Sequence, residues 1–414
     1  MSLIKPFRGL CPAAGRAADV VAPPYDVVDR AEAKALAKDR PWSFLHISRP
    51  EIDLPDEVDP YDPGVYAKGR ENLDRMVTEG VLVRDSEPCY YAYRLTMGGH
   101  VQTGLVATAS VEAYDQGRIK KHEFTRPVKE DDRVRQIEAL NAQTGPVFLV
   151  YPADVVVDGI LREVTAGPAR IDVTAQRDGV RHEVWRIDGE ETLGRLTAAF
   201  EAMPAIYVAD GHHRSAAGSR VGNARRQANP AHTGDESYNH FLSVIFPHDQ
   251  MQILDYNRVV RDLNGLSPER FLEAVGERFD VEISQVPVKP ATSGEFGMYL
   301  GGSWYRLRVR DEHVPADDPV ARLDVSLLQD NLIEPLLGVG DPRRDERIDF
   351  VGGIRGLGAL QKRVDSGDWA VAFALFPTTM QALMDVADAG EVMPPKSTWF
   401  EPKLADGLVS HVLD

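Results

Sequence analysis

The stretch AIYVADGHHRSAAGSR, residues 205–220, decides how the rest of this chain is interpreted. Its first five residues are apolar and lead directly into Asp210, a pattern that predicts a short buried strand ending there. Gly211 permits a tight turn, and Ser215–Ala228 reads as a helix. The segment therefore predicts a strand, a turn and a helix, with polar side chains gathered at the turn.

This predicted turn has the features of an anion-binding site. Free backbone N–H groups and the positive end of the helix dipole favour negative charge at a helix start. His212, His213 and Arg214 add two imidazoles and a guanidinium, which can bind phosphate through two parallel hydrogen bonds. Asp210 could orient a histidine, hold a divalent metal or act as a base, and Gly211 would complete the phosphate-binding turn. The alternative is a histidine-rich turn whose hydrogen bonds are structural.

A second candidate site is IKKHEFTRPVKEDDRVRQIEALNAQTGPVF, residues 119–148, which concentrates cations in an acidic chain. An anionic small molecule would fit this patch, with Lys129 and Arg133 as phosphate contacts. The alternative is a solvated helix start whose charges pair with one another. Glu123 follows His122 inside the segment and is a candidate general base.

Two loops supply the remaining candidates. In VVAPPYDVVD, residues 20–29, two prolines stiffen a loop that presents Asp26, the second candidate base. A rigid turn without a catalytic role is the alternative that this local sequence favours. In the tail, Lys396 begins a Lys-Ser-Thr string that could order over a phosphate. The chain has no P-loop, no GxGxxG after a strand, no GxSxG and no HExxH, which disfavours standard Rossmann oxidoreductases, α/β-hydrolases and zincins.

Composition restricts the class of partner. The chain has 414 residues, with 47 Lys plus Arg against 64 Asp plus Glu and a formal net charge of −17. Phosphate backbones and anionic lipids repel such a chain, so we expect neither a nucleic acid nor a membrane as a partner. Two cysteines and a start without an apolar signal-like run indicate a reducing, cytoplasmic location. The sequence is also compatible with a homo-oligomer.

The candidate strings occur together and in the same order in a known family. The chain resembles the prokaryotic domain-of-unknown-function family 1015 over nearly its whole length. Each string alone is unspecific, whereas the combination is very specific. The strings are Ala22–Val27, Phe44–Glu51, Lys120–Thr125 with Lys129–Arg133, Asn141–Phe148, Ala209–Arg214, Tyr256–Val260 and Met393–Leu408.

The DGHHR string also resembles a turn of the wider superfamily of the ParB N-terminal domain and sulfiredoxin, which includes free serine kinases. The resemblance implies an α+β fold: a two-lobed mixed α/β protein with a ParB/sulfiredoxin-like core around residues 205–260. We expect residues 1–150 to form an N-terminal α+β lobe with the cationic segment, and residues 151–414 to form the C-terminal lobe with the DGHHR turn. In the N-terminal lobe, Trp42–Ile47 reads as a strand or a buried turn.

The same resemblance implies a nucleotide-dependent phosphotransferase acting on a small hydroxyl-bearing metabolite, with L-serine as the leading acceptor, ATP or ADP as the donor, and Mg²⁺. A ParB-like nucleotide-binding regulatory module without kinase activity is the alternative. The net charge and the lack of a helix-turn-helix signal disfavour a nuclease or DNA-binding protein. A phosphotransferase site requires the distant strings to meet in one cleft. We therefore expect the DGHHR turn to lie near Glu123 or Lys129, and near one of the tail lysines, Lys396 or Lys403.

Overall fold

The computed structural model of the protein describes residues 2–414, which form two compact units. Unit 1 comprises the chain up to Met251 together with Pro402–Asp414, and unit 2 comprises Gln252–Glu401. This division differs from the lobes 1–150 and 151–414 expected from the sequence. The physical reason is strand pairing: segments on both sides of residue 150 are hydrogen-bonded neighbours within one sheet, and a boundary at that residue would cut the sheet in two.

Within residues 2–414, unit 1 is built on a nine-stranded mixed sheet. The strand order is β6-β11-β8-β12-β5-β4-β10-β9, with β1 paired to β5. The pairs β6/β11 and β8/β12 are parallel, and the other pairs are antiparallel. The strands are β1 (Ile4–Lys5), β4 (Tyr90–Met97), β5 (His100–Ser110), β6 (Ile119–Lys120), β8 (Val147–Tyr151), β9 (Ile171–Thr174), β10 (Arg181–Ile187), β11 (Ile206–Asp210) and β12 (His240–Pro247).

Helices cover this sheet and share its apolar core. Strand β8 is buried along its whole length, and Leu149 packs in one cluster with Val208 and Ile245 of its two neighbours. Burial of such β-branched and aliphatic side chains is the main force that holds the layers together. The helices of unit 1 are α1 (Ala17–Val20), α2 (Arg30–Ala37), α3 (Leu45–Ser48), α4 (Pro63–Thr78), α5 (Val111–Asp115), α6 (Pro127–Leu140), α7 (Val155–Val164), α8 (Glu190–Ala202) and α9 (His212–Ala228).

A second, small sheet of unit 1 fixes the end of the chain. Its order is β3-β2-β21-β7, and its strands are β2 (Gly9–Pro12), β3 (Leu82–Arg84), β7 (Ala142–Gln143) and β21 (Ser410–Val412). The C-terminal strand therefore pairs with one segment near the N-terminus and with another that follows α6. A bridge between Ala22 and Asp406 adds a further link. These pairings bring the last residues of the chain beside the 20–29 loop.

Unit 2 is a separate antiparallel structure. Its six-stranded sheet has the order β15-β17-β16-β19-β14-β18, and β13 pairs with β20. The strands are β13 (Gln252–Leu254), β14 (Tyr256–Val260), β15 (Phe279–Ser284), β16 (Glu295–Leu300), β17 (Ser303–Val309), β18 (Ile348–Gly352), β19 (Val371–Leu375) and β20 (Trp399–Glu401). The helices are α10 (Pro268–Val275), α11 (Asp324–Leu328), α12 (Glu334–Leu337), α13 (Leu357–Asp365) and α14 (Met380–Asp388).

The sequence predictions for the fold have three outcomes. The mixed α/β class is confirmed, and so are the strand that ends at Asp210 and the helix through Ser215–Ala228. Of the two interpretations of Trp42–Ile47, the strand is wrong: turns at Trp42 and Phe44 lead into the short helix α3, from which Leu45 and Ile47 are buried. None of the helices in the described residues combines the length and apolar character that a bilayer span needs.

Candidate functional site

The site lies where two parallel strands of unit 1 end. β6 pairs with β11 in the same direction, so their carboxyl ends meet at one edge of the sheet. His122 and Glu123 follow β6, while Asp210 ends β11 and His212 begins α9. The pairing of β11 with β8 is irregular between Val208 and Asp210, and such bulges re-aim side chains at the ends of strands. Ligands of α/β sheets commonly bind at such carboxyl ends.

The turn itself depends on Gly211. Its φ is +94°, in the left-handed region, and a Cβ at this position would lie 3.0 Å from Arg214 Nε. The carbonyl of Gly211 accepts hydrogen bonds from the backbone N–H groups of Arg214 and Ser215, which starts α9. Its own N–H donates to Asp210 Oδ1 at 2.9 Å. A residue without a side chain thus allows the strand to turn directly into the helix.

Five charged side chains, here named the charged cluster, meet around Arg214. Its guanidinium Nη2 lies 3.7 Å from Asp26 Oδ2 and 3.7 Å from Asp210 Oδ2. Lys403 Nζ donates to Asp210 Oδ2 at 3.3 Å. Asp406 is the fifth member, because its charge acts on the Arg214 guanidinium. Arg214 is only 8% exposed and also donates to the carbonyl of Pro146, so it is already engaged without a ligand.

The cluster shifts the pKa values of its members in opposite directions. Burial favours the neutral form of Asp210, but Lys403 and Arg214 outweigh burial and hold the pKa of this carboxyl well below its usual range. Burial would lower the pKa of Arg214, yet Asp26 and Asp210 raise it overall. Burial raises the pKa of Asp406 to about 7, with Arg214 opposing that shift and Asp26 adding to it. Asp406 is therefore the carboxyl of the cluster that titrates near neutral pH.

A second group, the imidazole cluster, consists of His122, Glu123 and His212. The two imidazoles are almost fully buried, and their ring centroids lie 4.5 Å apart in an edge-to-face arrangement. His212 Nδ1 is 3.6 Å from Glu123 Oε2. One potential ligand atom from each residue lies within 4.8 Å of the others. Burial lowers the pKa of His122 to about 4 and lowers that of His212 well below its usual range, so both rings are neutral at pH 7.

Other predicted phosphate contacts are occupied by structural partners. His213 Nε2 accepts a hydrogen bond from the backbone N–H of Arg126 at 3.0 Å, which joins α9 to the start of α6. Lys129 Nζ donates to the hydroxyl of Tyr61 at 3.2 Å. In these contacts, the imidazole of His213 and the ammonium group of Lys129 stabilise the packing of α6.

Arg133 and Lys396 complete the set of predicted residues. The Arg133 guanidinium forms an ion pair with Asp132 at 2.7 Å and lies over the Tyr25 ring, 3.8 Å from its centroid. It therefore supports the loop that presents Asp26. Lys396 belongs to unit 2, where its Nζ lies 5.4 Å from the centroid of the Tyr256 ring. The geometry thus brings the DGHHR turn together with Glu123 and Lys403.

Sequence reasoning missed two residues of these clusters. Asp406 lies in the string Ala405-Asp406-Gly407, which repeats the Ala-Asp-Gly of the DGHHR turn, and this repetition is a signal that could have drawn attention to it. His122 was noted only as a neighbour of Glu123. His122 and His212 are 90 positions apart in sequence, and the parallel pairing of β6 with β11 brings them together. That pairing has no local signature in the sequence.

Two cavities of unit 1 border the charged cluster. The smaller, of about 30 Å³, is lined by Tyr25, Arg133, Arg214 and Asp406 among others, and has room for about one water molecule. The larger, of about 390 Å³, is lined by Pro23, Pro24, Arg177, His182 and Lys403 among others. Its volume lies within the range of small-ligand pockets. Lys403 connects this cavity to Asp210.

Comparison with known proteins gives one family and several solved structures of low similarity. The chain is similar to the free serine kinase in complex with AMP, at 13% identity and a TM-score of 0.35, covering 73% of this chain and 92% of that one. It is similar to SbnI with C-terminal truncation from Staphylococcus aureus, at 12% identity and a TM-score of 0.37, covering 74% and 87%. A conserved hypothetical protein from Pyrococcus furiosus has 13% identity and a TM-score of 0.34, covering 77% and 98%. No curated protein matches the chain. The family model described as "Protein of unknown function (DUF1015)" matches residues 4–326.

Proposed function

We propose that the chain, which belongs to the DUF1015 family of proteins of unknown function, is a nucleotide-dependent phosphotransferase acting on a small hydroxyl-bearing metabolite. Free L-serine is the leading acceptor, and ATP or ADP is the donor. Two lines support the proposal: the resemblance of the DGHHR string to the turn of free serine kinases, and the charges gathered around that turn.

The observation that carries the proposal is the mixture of charges at the start of α9. Phosphoryl transfer needs cations that position the donor phosphates and a carboxylate that orients the acceptor hydroxyl. Both kinds of group are present at this turn. The cation Arg214 lies 3.7 Å from the carboxylate of Asp26, and the cation Lys403 lies 3.3 Å from the carboxylate of Asp210. A 17-residue helix adds the positive end of its dipole at the same place.

The roles follow from these positions. Lys403 is 23% exposed and lines the cavity of about 390 Å³, so it is the cation that a phosphate entering from that cavity would reach first. Arg214 is buried behind it and positions the carboxylates on either side. In the transfer step, the phosphoryl group leaves the nucleotide and forms a bond to the acceptor oxygen, while the hydroxyl proton passes to a carboxylate. Glu123 and Asp26 are the two candidates for this base, in that order of preference from the sequence.

Mg²⁺, which the resemblance implies, is less well matched by the side chains at this turn than a transition metal is. Mg²⁺ takes six oxygen ligands, usually one or two carboxylates together with waters and the phosphates of the substrate. Asp26 and Asp210 each lie beside a cation, which opposes a divalent ion at the same carboxylates. The group of side chains with metal-ligand spacing in residues 2–414 contains two imidazoles, and such nitrogen donors favour transition metals.

A phosphate-transfer screen tests the proposal. The purified protein is incubated with each free amino acid and either ATP or ADP, and mass spectrometry detects phosphorylated products. We expect phosphoserine together with the nucleotide shortened by one phosphate. Nucleotide binding without any phosphorylated acceptor would overturn the proposal and favour the regulatory module.

A matched pair of variants identifies the base. Glu123→Gln and Asp26→Asn each remove a charge and keep the shape of the side chain. The variant that replaces the base should lose turnover and keep nucleotide binding. Glu138→Gln, an exposed position on α6, is the control and keeps full turnover. Retention of turnover in both base variants would contradict the carboxylate-base mechanism.

A further inference from the structure

The imidazole cluster has features that nucleotide binding does not require. His122 is 2% exposed and His212 is 3% exposed, yet each has a buried ring nitrogen without a hydrogen-bond partner, Nδ1 in His122 and Nε2 in His212. Leaving a buried polar atom unpaired destabilises a fold. Nδ1 of His122 is therefore a potential ligand atom without a partner, on a ring whose centroid lies 4.5 Å from that of His212. His212 faces Glu123 with its other nitrogen, Nδ1.

The orientation of His122 agrees with a metal ligand. Its second ring nitrogen, Nε2, donates to the backbone carbonyl of Val208. This bond fixes the tautomer and leaves the lone pair on Nδ1. Histidines that bind metals commonly donate their other N–H to a carbonyl or carboxylate in this way. The parallel pairing of β6 with β11 holds the ring and that carbonyl together.

We propose that His122, Glu123 and His212 bind one divalent transition-metal ion, with Zn²⁺ as the first candidate. The three side chains offer two nitrogens and a carboxylate oxygen, a set found in catalytic zinc sites. Two imidazoles favour Zn²⁺, Co²⁺, Ni²⁺ or Fe²⁺ over Mg²⁺ or Ca²⁺. Three protein ligands leave at least one coordination position for water or a ligand oxygen.

The distances are compatible with this assignment. Ligands about 2.1 Å from a tetrahedral ion lie roughly 3.4 Å from one another. His212 Nδ1 and Glu123 Oε2 are already 3.6 Å apart, and the three ligand atoms lie within 4.8 Å. The adjustment needed to reach tetrahedral spacing is thus at most about 1.4 Å between any two of the ligand atoms. Glu123, whose side chain is 57% exposed, is the least buried of the three.

The surroundings provide charge compensation. Asp210 is close enough to favour the charged form of both imidazoles, and Lys121 acts on His212 in the opposite direction. The carboxylates of Glu123 and Asp210 thus offset the charge of a divalent ion. Asp210 also belongs to the charged cluster, so the ion would lie beside the turn at which we place the nucleotide phosphates.

Metal content and metal affinity test the proposal without nucleotide, so the result does not depend on the phosphotransferase assignment. Elemental analysis of the full chain purified without chelator is expected to give about one transition-metal ion per chain. After chelation, titration with Co²⁺ should produce visible absorption bands, and Zn²⁺ should displace the Co²⁺. Millimolar Mg²⁺ should leave the bands unchanged. A wild-type protein that holds no transition metal and binds no Co²⁺ would overturn the proposal.

Variants show whether these three residues are the ligands. His122→Asn and His212→Asn should weaken Zn²⁺ binding at least about a hundredfold, since changes at residues that merely support metal ligands already cost about 10–100-fold. Glu123→Gln should weaken it at least about tenfold, and its exposed position allows the fold to persist if the buried histidine variants fail. His232→Asn removes an imidazole 2.9 Å from Glu236 and is the control, with unchanged affinity. Equal Zn²⁺ affinity in Glu123→Gln and His232→Asn would reject the site.

Discussion

Replacing Asp406 with asparagine tests the charged cluster through the pH dependence of stability. Asp406 is 2% exposed, and its Oδ1 has no hydrogen-bond partner among the described residues. The charged groups that act on it are Arg214, Asp26 and Arg133, and the backbone N–H of Tyr25 donates to its carboxyl. Asparagine keeps the shape of the side chain and stays neutral at every pH. The variant therefore imitates the protonated form that burial favours.

The expected change in unfolding free energy follows from the pKa of Asp406. Burial raises the pKa of Asp406 from 3.8 to about 7. Between these values the unfolded chain has released the proton while the folded chain still holds it, so the unfolding free energy of the wild type falls as pH rises. Each unit of pH in that window corresponds to about 1.4 kcal/mol, which gives at most about 4 kcal/mol in total. Below pH 4 and above pH 7 this contribution no longer changes with pH.

The assay is urea unfolding of both proteins at several pH values between 4 and 8. The two proteins should have similar stability near pH 4, and Asp406→Asn should become more stable than the wild type as pH approaches 7. Asp235→Asn is the control, because Asp235 is 89% exposed and its ion pair with Lys5 lies at the surface. A difference between Asp406→Asn and the wild type that stays constant from pH 4 to 8, or that changes in the opposite direction, would refute the reasoning.

Three further substitutions test the turn and the cations. Arg214→Ala removes the cation beside Asp26 and Asp210, but both carboxylates are partly exposed and Lys403 stays beside Asp210. Urea unfolding should therefore show a loss of about 1–3 kcal/mol, and calorimetry a roughly ten- to hundredfold weaker nucleotide affinity. Gly211→Ala should lower the free energy of unfolding more than Gly80→Ala does. Both glycines have positive φ, so alanine costs about 1–2 kcal/mol at either position. A Cβ at position 211 would also contact Arg214, whereas a Cβ at position 80 would contact nothing within 4 Å. Lys403→Met should weaken nucleotide binding about tenfold by calorimetry while thermal unfolding changes little, since its side chain is partly exposed. Equal nucleotide affinity in the wild type and Lys403→Met would remove Lys403 from the proposed phosphate site.

Local patterns predicted the turn well, whereas the surrounding site depends on long-range pairing. The strand ending at Asp210 and the helix after it follow from five apolar residues, a glycine and helix-forming residues that are adjacent in sequence. No local pattern places Asp406 near Asp26, because a backbone bridge to Ala22 brings the tail back across 384 positions. The predicted boundary at residue 150 also depended on local sequence alone. Local sequence does not show that β8 pairs with strands that begin more than 50 residues later.

The same limit applies to individual side chains of the motifs. A dense run of cations suggested phosphate binding for Lys129 and Arg133, but sequence cannot show which partner a cation selects. In the fold, Arg133 pairs with Asp132, its neighbour in sequence, and stacks on Tyr25. Lys129 contacts Tyr61 instead. The cationic segment thus combines both interpretations: much of its charge is used in packing, while Glu123 reaches the turn.

The two proposals make different demands on Glu123, and this difference decides the base. A carboxylate that binds a metal ion donates its electron pair to that ion and is a weak proton acceptor. Glu123 lies 3.6 Å from His212 Nδ1 inside the imidazole cluster, whereas Asp26 lies 3.7 Å from Arg214 on the other side of the turn. If the metal site exists, Asp26 becomes the better base, and Glu123→Gln should lose metal affinity. Asp26→Asn should then lose turnover while Zn²⁺ affinity stays at the wild-type value, a pattern that Glu123 as the base cannot produce.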